Sequence, residues 1–216
     1  MDTKPTLIVK GRKFEQVLQG ARSVFLRDGF ERTSVDDIAR EAGVSKATLY
    51  AYFPDKRILF MEVASAECRR QAEEAVSEMD QTAPIADVLR HAATRLIGFM
   101  QSDFGQRIFR IAVAEAESFP ELAQQFYNSG PRLAKERISE CLQNGVTRGE
   151  LAIEDLPLAA AQFAQLCKVD LQDCLLFTPQ RACTAPEVKR VIEGAVSMFM
   201  ARYGLRPQPE SAPVEK

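Results

Sequence analysis

The 216-residue sequence is poor in the residues from which most catalytic and metal sites are built. It contains one histidine, which excludes a multi-histidine metal site and allows at most one histidine-dependent catalytic centre. Its five cysteines form no CxxC pair, so neither a disulfide framework nor a zinc ribbon is indicated. No nucleophile–base motif or phosphate-cradling glycine loop stands out either. We therefore expect no metal and no cofactor, and a helical enzyme is the less favoured class.

Long apolar runs are scarce as well. The longest uncharged run, residues 156–167, has 12 residues and includes two glutamines, whereas a membrane span needs roughly 18 apolar residues. Near the N-terminus, Leu7-Ile8-Val9 is too short for the apolar region of a signal peptide. These features predict a cytoplasmic protein that does not enter the membrane.

The charge balance divides the chain into two parts. The whole sequence has a net charge of −2, which by itself argues against a partner such as nucleic acid. Residues 1–60, however, carry 11 basic and 8 acidic residues, a charge of +3, and the remainder carries 17 basic and 22 acidic residues, a charge of −5. Only the first part is therefore suited to approach a polyanion.

Helical periodicity dominates the sequence, and no convincing alternating strand pattern is present. The spacing predicts an all-α fold of about nine helices. Ser118–Glu121 and Thr184–Glu187 each read as a hydroxyl cap, a proline just inside the helix and a glutamate at the third helical position. We expect a domain over residues 1–60, a larger helical domain over 61–203 and a disordered, proline-containing tail over 204–216.

The most specific stretch is residues 33–53, which predicts two short helices joined by a tight turn. The helices are expected at Val35–Ala42 and Lys46–Tyr52, with a left-handed Gly43 in the turn and Ser45 as the second cap. This layout is typical of a helix-turn-helix. The core positions of the motif are expected to be Val35, Ile38, Ala39, Gly43, Val44, Leu49 and Phe53.

The run from Phe14 to Phe60 resembles the DNA-binding domain of the TetR family of bacterial transcriptional regulators. The resemblance is carried by Gly29-Phe30, residues 33–39, residues 42–45, residues 49–53 and Asp55-Lys56. Further along, Ala114-Glu115-Ala116 with residues 119–122 is similar to one ligand-domain subgroup. The resemblance implies a homodimer with two DNA-reading heads and a ligand-sensing core, usually a repressor that a small apolar or amphipathic molecule releases from a palindromic operator.

The resemblance also implies a set of DNA-contacting residues. Thr33, as the cap of the first helix, and Lys56 would meet phosphates, and hydroxyls and a lysine suit that task because they bond phosphate oxygens. Tyr52 stands where the family often has a histidine. Tyr50 or Tyr52 could instead be partly core, and Lys56 an ordinary solvated lysine. The full set is Thr33, Ser34, Ser45, Lys46, Ala47, Thr48, Tyr50, Tyr52 and Lys56.

The larger domain is expected to hold an effector pocket and the dimer interface. Residues 156–177 are apolar on several faces and residues 186–203 carry a helix-spaced apolar stripe, so both segments are expected at the interface, with a deeply buried monomer helix as the alternative. An effector-independent regulator or an activator is the alternative function. Core packing would explain most of the pocket candidates equally well. These candidates are Phe99, Met100, Phe104, Ile108, Phe126, Tyr127, Phe163 and Cys167.

Overall fold

The computed structural model describes residues 11–80, 82–178 and 183–205. Within these ranges the fold is all-α, as predicted, with eleven α-helices, one π-helical turn and no β-strand. None of the described helices is long and apolar enough to cross a bilayer. The helices are α1 (Arg12–Asp28), α2 (Val35–Glu41), α3 (Lys46–Tyr52), α4 (Lys56–Ser77), α5 (Ile85–Gln101), α6 (Asp103–Ala114), α7 (Pro120–Tyr127), the π-helical turn (Asn128–Arg132), α8 (Leu133–Thr147), α9 (Leu156–Leu166), α10 (Leu171–Phe177) and α11 (Ala185–Tyr203).

The described residues divide into two compact units. The first contains the described residues up to Glu73 together with Phe99–Leu133, and the second contains Glu74–Gly98 and the described residues from Ala134 onward. The compact units thus interleave along the chain. The division expected at residue 60 does not coincide with a boundary between these compact units, and it stays a prediction.

An aromatic cluster lies at the centre of the first unit. The Phe60 ring of α4 lies edge-on to Phe25 of α1 at 5.0 Å between centroids, and 4.9 Å from Phe30. On its other side Phe60 meets Phe104 of α6 at 5.8 Å. Because aromatic side chains bury large apolar areas, this cluster holds α1, α4 and α6 together.

Side-chain caps and glycines mark the starts and stops of the first helices. Ser34 caps α2 and forms a capping box with Asp37, and the Ser45 side chain accepts a hydrogen bond from the Thr48 backbone N–H at the start of α3. Gly29 ends α1 with φ 76°, and Gly43 has φ 63° in the turn between α2 and α3. Both values lie in the left-handed region that glycine adopts without steric cost.

A close approach between α1 and α2 depends on a glycine within α1. A Cβ placed on Gly20 would lie 2.7 Å from the Cβ and the backbone nitrogen of Ala42, closer than real side chains approach. Glycine inside a helix costs about 1 kcal/mol relative to alanine. That cost is offset here because no larger residue fits between the two helices.

Lys56, at the start of α4, connects this helix to the turn between α1 and α2. Its Nζ donates hydrogen bonds to the carbonyl oxygens of Phe30, at 2.9 Å, and Thr33, at 3.1 Å. The ammonium also lies 4.3 Å from the centre of the Phe30 ring, a cation–π arrangement. Lys56 is therefore a structural residue of the first unit.

A buried carboxylate joins α1 to α4. Glu67 is 5% exposed and accepts hydrogen bonds from Arg22 Nε at 2.9 Å, Arg70 Nε at 3.0 Å and Gln71 Nε2 at 3.1 Å. Burial alone would raise the pKa of Glu67, but the hydrogen bonds from Arg70, Arg22 and Gln71 outweigh it and hold that pKa at about 2. The carboxylate therefore stays charged in the folded protein.

The second unit has its own core, and α9, α10 and α11 contribute to it. Phe163 of α9 meets Phe199 of α11 edge-on at 5.3 Å. The segment expected as one helix over residues 156–177 is two helices, because the chain turns at residues 167–170 and Asp170 has a left-handed φ of 62°. Helix α11 begins with the predicted capping box, between Thr184 and Glu187.

Two other expectations need correction. At Ser118–Glu121 the residue preceding the helix is Phe119, without a side-chain cap, so Ser118 is not the cap that its sequence suggested. Gly204 pairs with Leu151 in an isolated antiparallel bridge, so the first residues of the expected tail are held in place. Residues 206–216 lie outside the described residues.

We expect Glu67→Gln to lower the free energy of unfolding at pH 7 by about 2 kcal/mol, because it removes the buried charge that accepts hydrogen bonds from the half-exposed guanidinium groups of Arg22 and Arg70. The pKa of Glu67 lies below its usual 4.5 in the folded state, so this stabilisation is present above about pH 4.5 and is lost as the pH falls towards 2. Urea unfolding at a series of pH values should show the gap to wild type narrowing below pH 5. Glu73→Gln, on an exposed part of α4, is the matched control. A gap of constant size would contradict the assignment.

Candidate nucleic-acid interface

Helices α2 and α3 are joined by the turn at residues 42–45 and share one core with α1 and α4. Ile38 and Ala39 of α2, Leu49 of α3 and the following Phe53 are buried in that core. Val35 and Val44 are half-buried against it, and Gly43 is exposed in the turn. The seven residues expected at the core of the motif therefore lie where a helix-turn-helix requires them.

The outer face of α3 is polar or small and is open to solvent. Ser45, Lys46 and Ala47 are exposed, and the Tyr50 ring is 48% exposed. Thr48 is half-buried, and its hydroxyl lies 2.9 Å from that of Ser45. Such a face can lie in a major groove, because a small residue permits close approach to base edges and hydroxyls bond to phosphates.

Electrostatic contacts within the motif are dense. Lys46 Nζ lies 2.6 Å from the Asp36 carboxylate of α2. Ser34 is exposed, and hydrogen bonds from its side chain and backbone, together with Arg40, hold the pKa of Asp37 below its usual value. The carboxylate of Asp37 is therefore held in its ionised form by its neighbours, and that of Asp36 is paired with the cation of α3.

Three residues expected to contact DNA are placed differently. Thr33 is only 3% exposed and donates its hydroxyl hydrogen to the Gly29 carbonyl at 2.6 Å, so the cap of α2 is Ser34 and not Thr33. Lys56 is half-buried and its Nζ donates to backbone carbonyls, so it is not an ordinary solvated lysine, and its contact with a phosphate stays a prediction. Tyr52 is half-buried and lies edge-on to Phe14 at 5.8 Å, which makes it partly core.

Helix α6 is attached to this head by contacts that sequence reasoning did not find. Arg57, just inside α4, pairs with Asp55 at 2.7 Å and with Glu115 at 3.0 Å, and its guanidinium lies 4.4 Å from the Phe119 ring centre. Arg107 of α6 packs so closely against Gly29 that a Cβ there would lie 2.9 Å from the guanidinium carbon. The only sequence signal was the resemblance at residues 114–122, because ion pairs between distant residues leave no local pattern.

Most of the expected pocket residues lie in or against the cores of the two units. Phe104, Ile108 and Phe126 are buried in the first core, with Phe99 packed half-buried against it. Met100 is half-buried, and Tyr127 is 45% exposed. Phe163 and Cys167 are fully buried in the second core, where burial raises the pKa of the Cys167 thiol to about 12.

The second unit carries an apolar surface groove between α9 and α11. Its volume is about 550 Å³, and Leu158, Val169 and Met198 lie on its surface at 51%, 55% and 63% exposure. Arg202 and Tyr203 lie at its rim. Large apolar side chains exposed side by side mark a surface that another molecule covers.

Two family models match the chain. Residues 17–63 match the tetR family of bacterial regulatory proteins, and residues 87–205 match the C-terminal domain of AefR-like transcriptional repressors. The first match covers the helix-turn-helix, and the second contains α6, the groove helices and most of the second unit.

Individual relatives agree with these matches. A solved TetR-family transcriptional regulator from Mesorhizobium loti has a TM-score of 0.78 and 27% identity, covering 90% of this chain and 98% of that one. The flavonoid-responsive regulator FrrA has a TM-score of 0.65 and 33% identity, covering 91% and 99%. The HTH-type transcriptional regulator YfiR of Bacillus subtilis is 26% identical over 186 residues, 84% of this chain and 89% of YfiR. With a helix-turn-helix in place and regulators rather than enzymes as its relatives, the chain belongs to the TetR family of DNA-binding transcriptional regulators.

Proposed function

We propose that this regulator is a homodimeric repressor that a small apolar or amphipathic effector releases from a palindromic operator. The observation that carries the DNA-reading part is the open outer face of α3, supported from behind by a fully packed core. In a dimer, two such helices would enter successive major grooves about 34 to 36 Å apart, or a multiple of that distance.

The contact residues of the proposal are those that the structure leaves accessible. Ser34 and Ser45 would bond phosphates, and Lys46 would exchange Asp36 for a phosphate. Ala47 and Thr48 would approach base edges, because a small side chain and a short hydroxyl allow the helix to lie close to them. Tyr50 and the edge of Tyr52 would contact the backbone or thymine methyl groups. Thr33 and Lys56 would act from behind this surface by holding the turn between α1 and α2.

The groove between α9 and α11 supports the proposed dimer. The three exposed apolar side chains Leu158, Val169 and Met198 leave a hydrophobic surface uncovered in the single chain. When a two-fold axis passes through such a surface, the same surface of a second copy lies against it. Each copy then covers the apolar groove of the other. The residues expected for dimerisation, 156–177 and 186–203, include all three, although the groove is lined by α9, the turn after it and α11, and not by α10.

The effector part of the proposal rests on chemistry around α6. Phe104 and Ile108 of α6 belong to the same apolar core as the helix-turn-helix, so a ligand that separates α6 from α4 would also displace the support of α3. The aromatic side chains of this core would favour an apolar or planar aromatic molecule. The relative FrrA is described as flavonoid-responsive, which makes flavonoids the first class to test. The effector can act only through its different affinities for the two states.

Lys46→Ala should weaken binding to a duplex that the wild-type protein has selected from a random library. It should also flatten the dependence of log Kd on the logarithm of the salt concentration by roughly one unit per head, since one phosphate contact is lost. Fluorescence anisotropy at several salt concentrations measures both effects. Lys13→Ala, which removes an exposed charge from α1, is the control. A slope unchanged by Lys46→Ala would remove this residue from the contact surface.

Met198→Glu should convert the dimer into a monomer, because it places a charge in the apolar groove between two copies. Sedimentation equilibrium of the full chain measures the state of assembly. Ser197→Glu introduces the same charge next to Met198 on an exposed position outside the groove lining and should leave the dimer intact. A Met198→Glu protein that still sediments as a dimer would place the interface elsewhere.

Flavonoids that bind the protein should raise the apparent Kd for the selected duplex and raise the melting temperature of the free protein, because ligand bound to the folded state stabilises it. Phe104→Ala should abolish the effect of the ligand on DNA binding. The Kd of this variant without ligand reports any loss of DNA affinity caused by the substitution itself. If neither flavonoids nor other apolar amphiphiles release the duplex, the effector-independent regulator becomes the better description.

A further inference from the structure

The helix-turn-helix has an unusual charge balance for a surface that meets a polyanion. Between residues 33 and 53 there are two cations and three carboxylates, a net charge of −1. The recognition helix α3 contains a single charged residue, Lys46, and the other cation and all three carboxylates belong to α2. Electrostatic attraction to the phosphate backbone, which dominates non-specific DNA binding, is therefore weak within this motif.

Each carboxylate of α2 has a different partner. Asp37 bonds to Ser34 and pairs with Arg40, and Glu41 lies 3.6 Å from Arg27 of α1. Asp36 is the carboxylate that reaches α3, where it lies 2.6 Å from Lys46 Nζ. The two side chains are 60% and 56% exposed, so this pair lies on the open surface at the start of the recognition helix.

We propose that Asp36 sets the affinity of the DNA-binding surface for its operator, acting by competing with a phosphate for Lys46. The inference rests on the proposed function, in which α3 enters the major groove.

The physical basis is an exchange of ionic partners. An exposed ion pair is worth at most about 1 kcal/mol, so a phosphate held against Lys46 by a fully seated recognition helix can displace Asp36. On an unrelated duplex the helix is not seated, the phosphate is not fixed at that place, and Lys46 keeps its carboxylate. Any phosphate near Lys46 also meets the charge of Asp36, which repels it. Asp36 therefore lowers affinity most for the operator, because only there does its pair with Lys46 have to be broken.

The test compares two duplexes, one selected from a random library by the wild-type chain and one scrambled duplex of the same composition. Asp36→Asn removes the charge while keeping the size of the side chain. Asp36→Glu keeps the charge, and Glu117→Gln removes one exposed carboxylate from the turn between α6 and α7 as a control for net charge. Circular dichroism melts establish that each variant is folded, and affinities are measured over a range of salt concentrations.

For Asp36→Asn we expect affinity for the selected duplex to rise roughly three- to tenfold, with a smaller rise for the scrambled duplex, so that the ratio between them increases. The salt slope on the scrambled duplex should steepen by about 0.9 per head, because Lys46 is released to bind a phosphate, while the slope on the selected duplex stays unchanged. Asp36→Glu should keep the wild-type ratio. In a Lys46→Met background, Asp36→Asn should no longer change the salt slope.

Two results would overturn the proposal in distinguishable ways. If the wild-type chain selects no duplex at all, the proposed function fails, and this inference fails with it. If the wild-type chain selects a duplex but folded Asp36→Asn lowers the ratio, changes both affinities by the same factor, or changes them no more than Glu117→Gln does, DNA reading stands and Asp36 has no part in setting operator affinity.

Discussion

The position of the recognition helix depends on the first two turns of α4. There Lys56 bonds to the carbonyls at the end of the turn between α1 and α2, and Phe60 fills the space between α1 and α6. Arg57, between them, pairs with Glu115 beyond the end of α6. One short segment thus fixes the helices behind α3 on one side and α6 on the other. Helices α6 and α3 are thereby connected through one close-packed core, and such a core deforms little.

The DNA-binding surface and the core that supports it depend on different kinds of interaction. Packing, capping and buried charge define the shape of the head, as the Glu67 cluster and the Ser34 capping box illustrate. The outer surface, in contrast, has few charges and one cation on α3. Recognition that depends on shape and short contacts more than on net attraction suits a protein that must find one site among many. The acidic balance of the rest of the chain acts in the same direction.

Local signals in the sequence predicted much of this structure. The bounds of α3, the left-handed glycine at position 43 and the Thr184 capping box depend on neighbouring residues only, so they can be read directly from the sequence. The partners of Lys56 and the helix break at Asp170 could not be predicted. Lys56 bonds to residues more than 20 positions away, and the turn at Asp170 interrupts an apolar run whose composition favours a continuous helix.

The contact between Gly20 and Ala42 fixes a distance on which the arrangement of α1, α2 and α3 depends. A Cβ on Gly20 would lie only 2.7 Å from the backbone nitrogen of Ala42. The spacing of α1 and α2 is therefore set by backbone contact, which a change of rotamer cannot adjust. Helix α2 carries α3 through the turn at Gly43, so this spacing also determines how far the recognition helix stands out from the body of the protein. A larger side chain at either position would alter the depth of α3 in a groove, and hence operator choice, with every base-contacting residue unchanged.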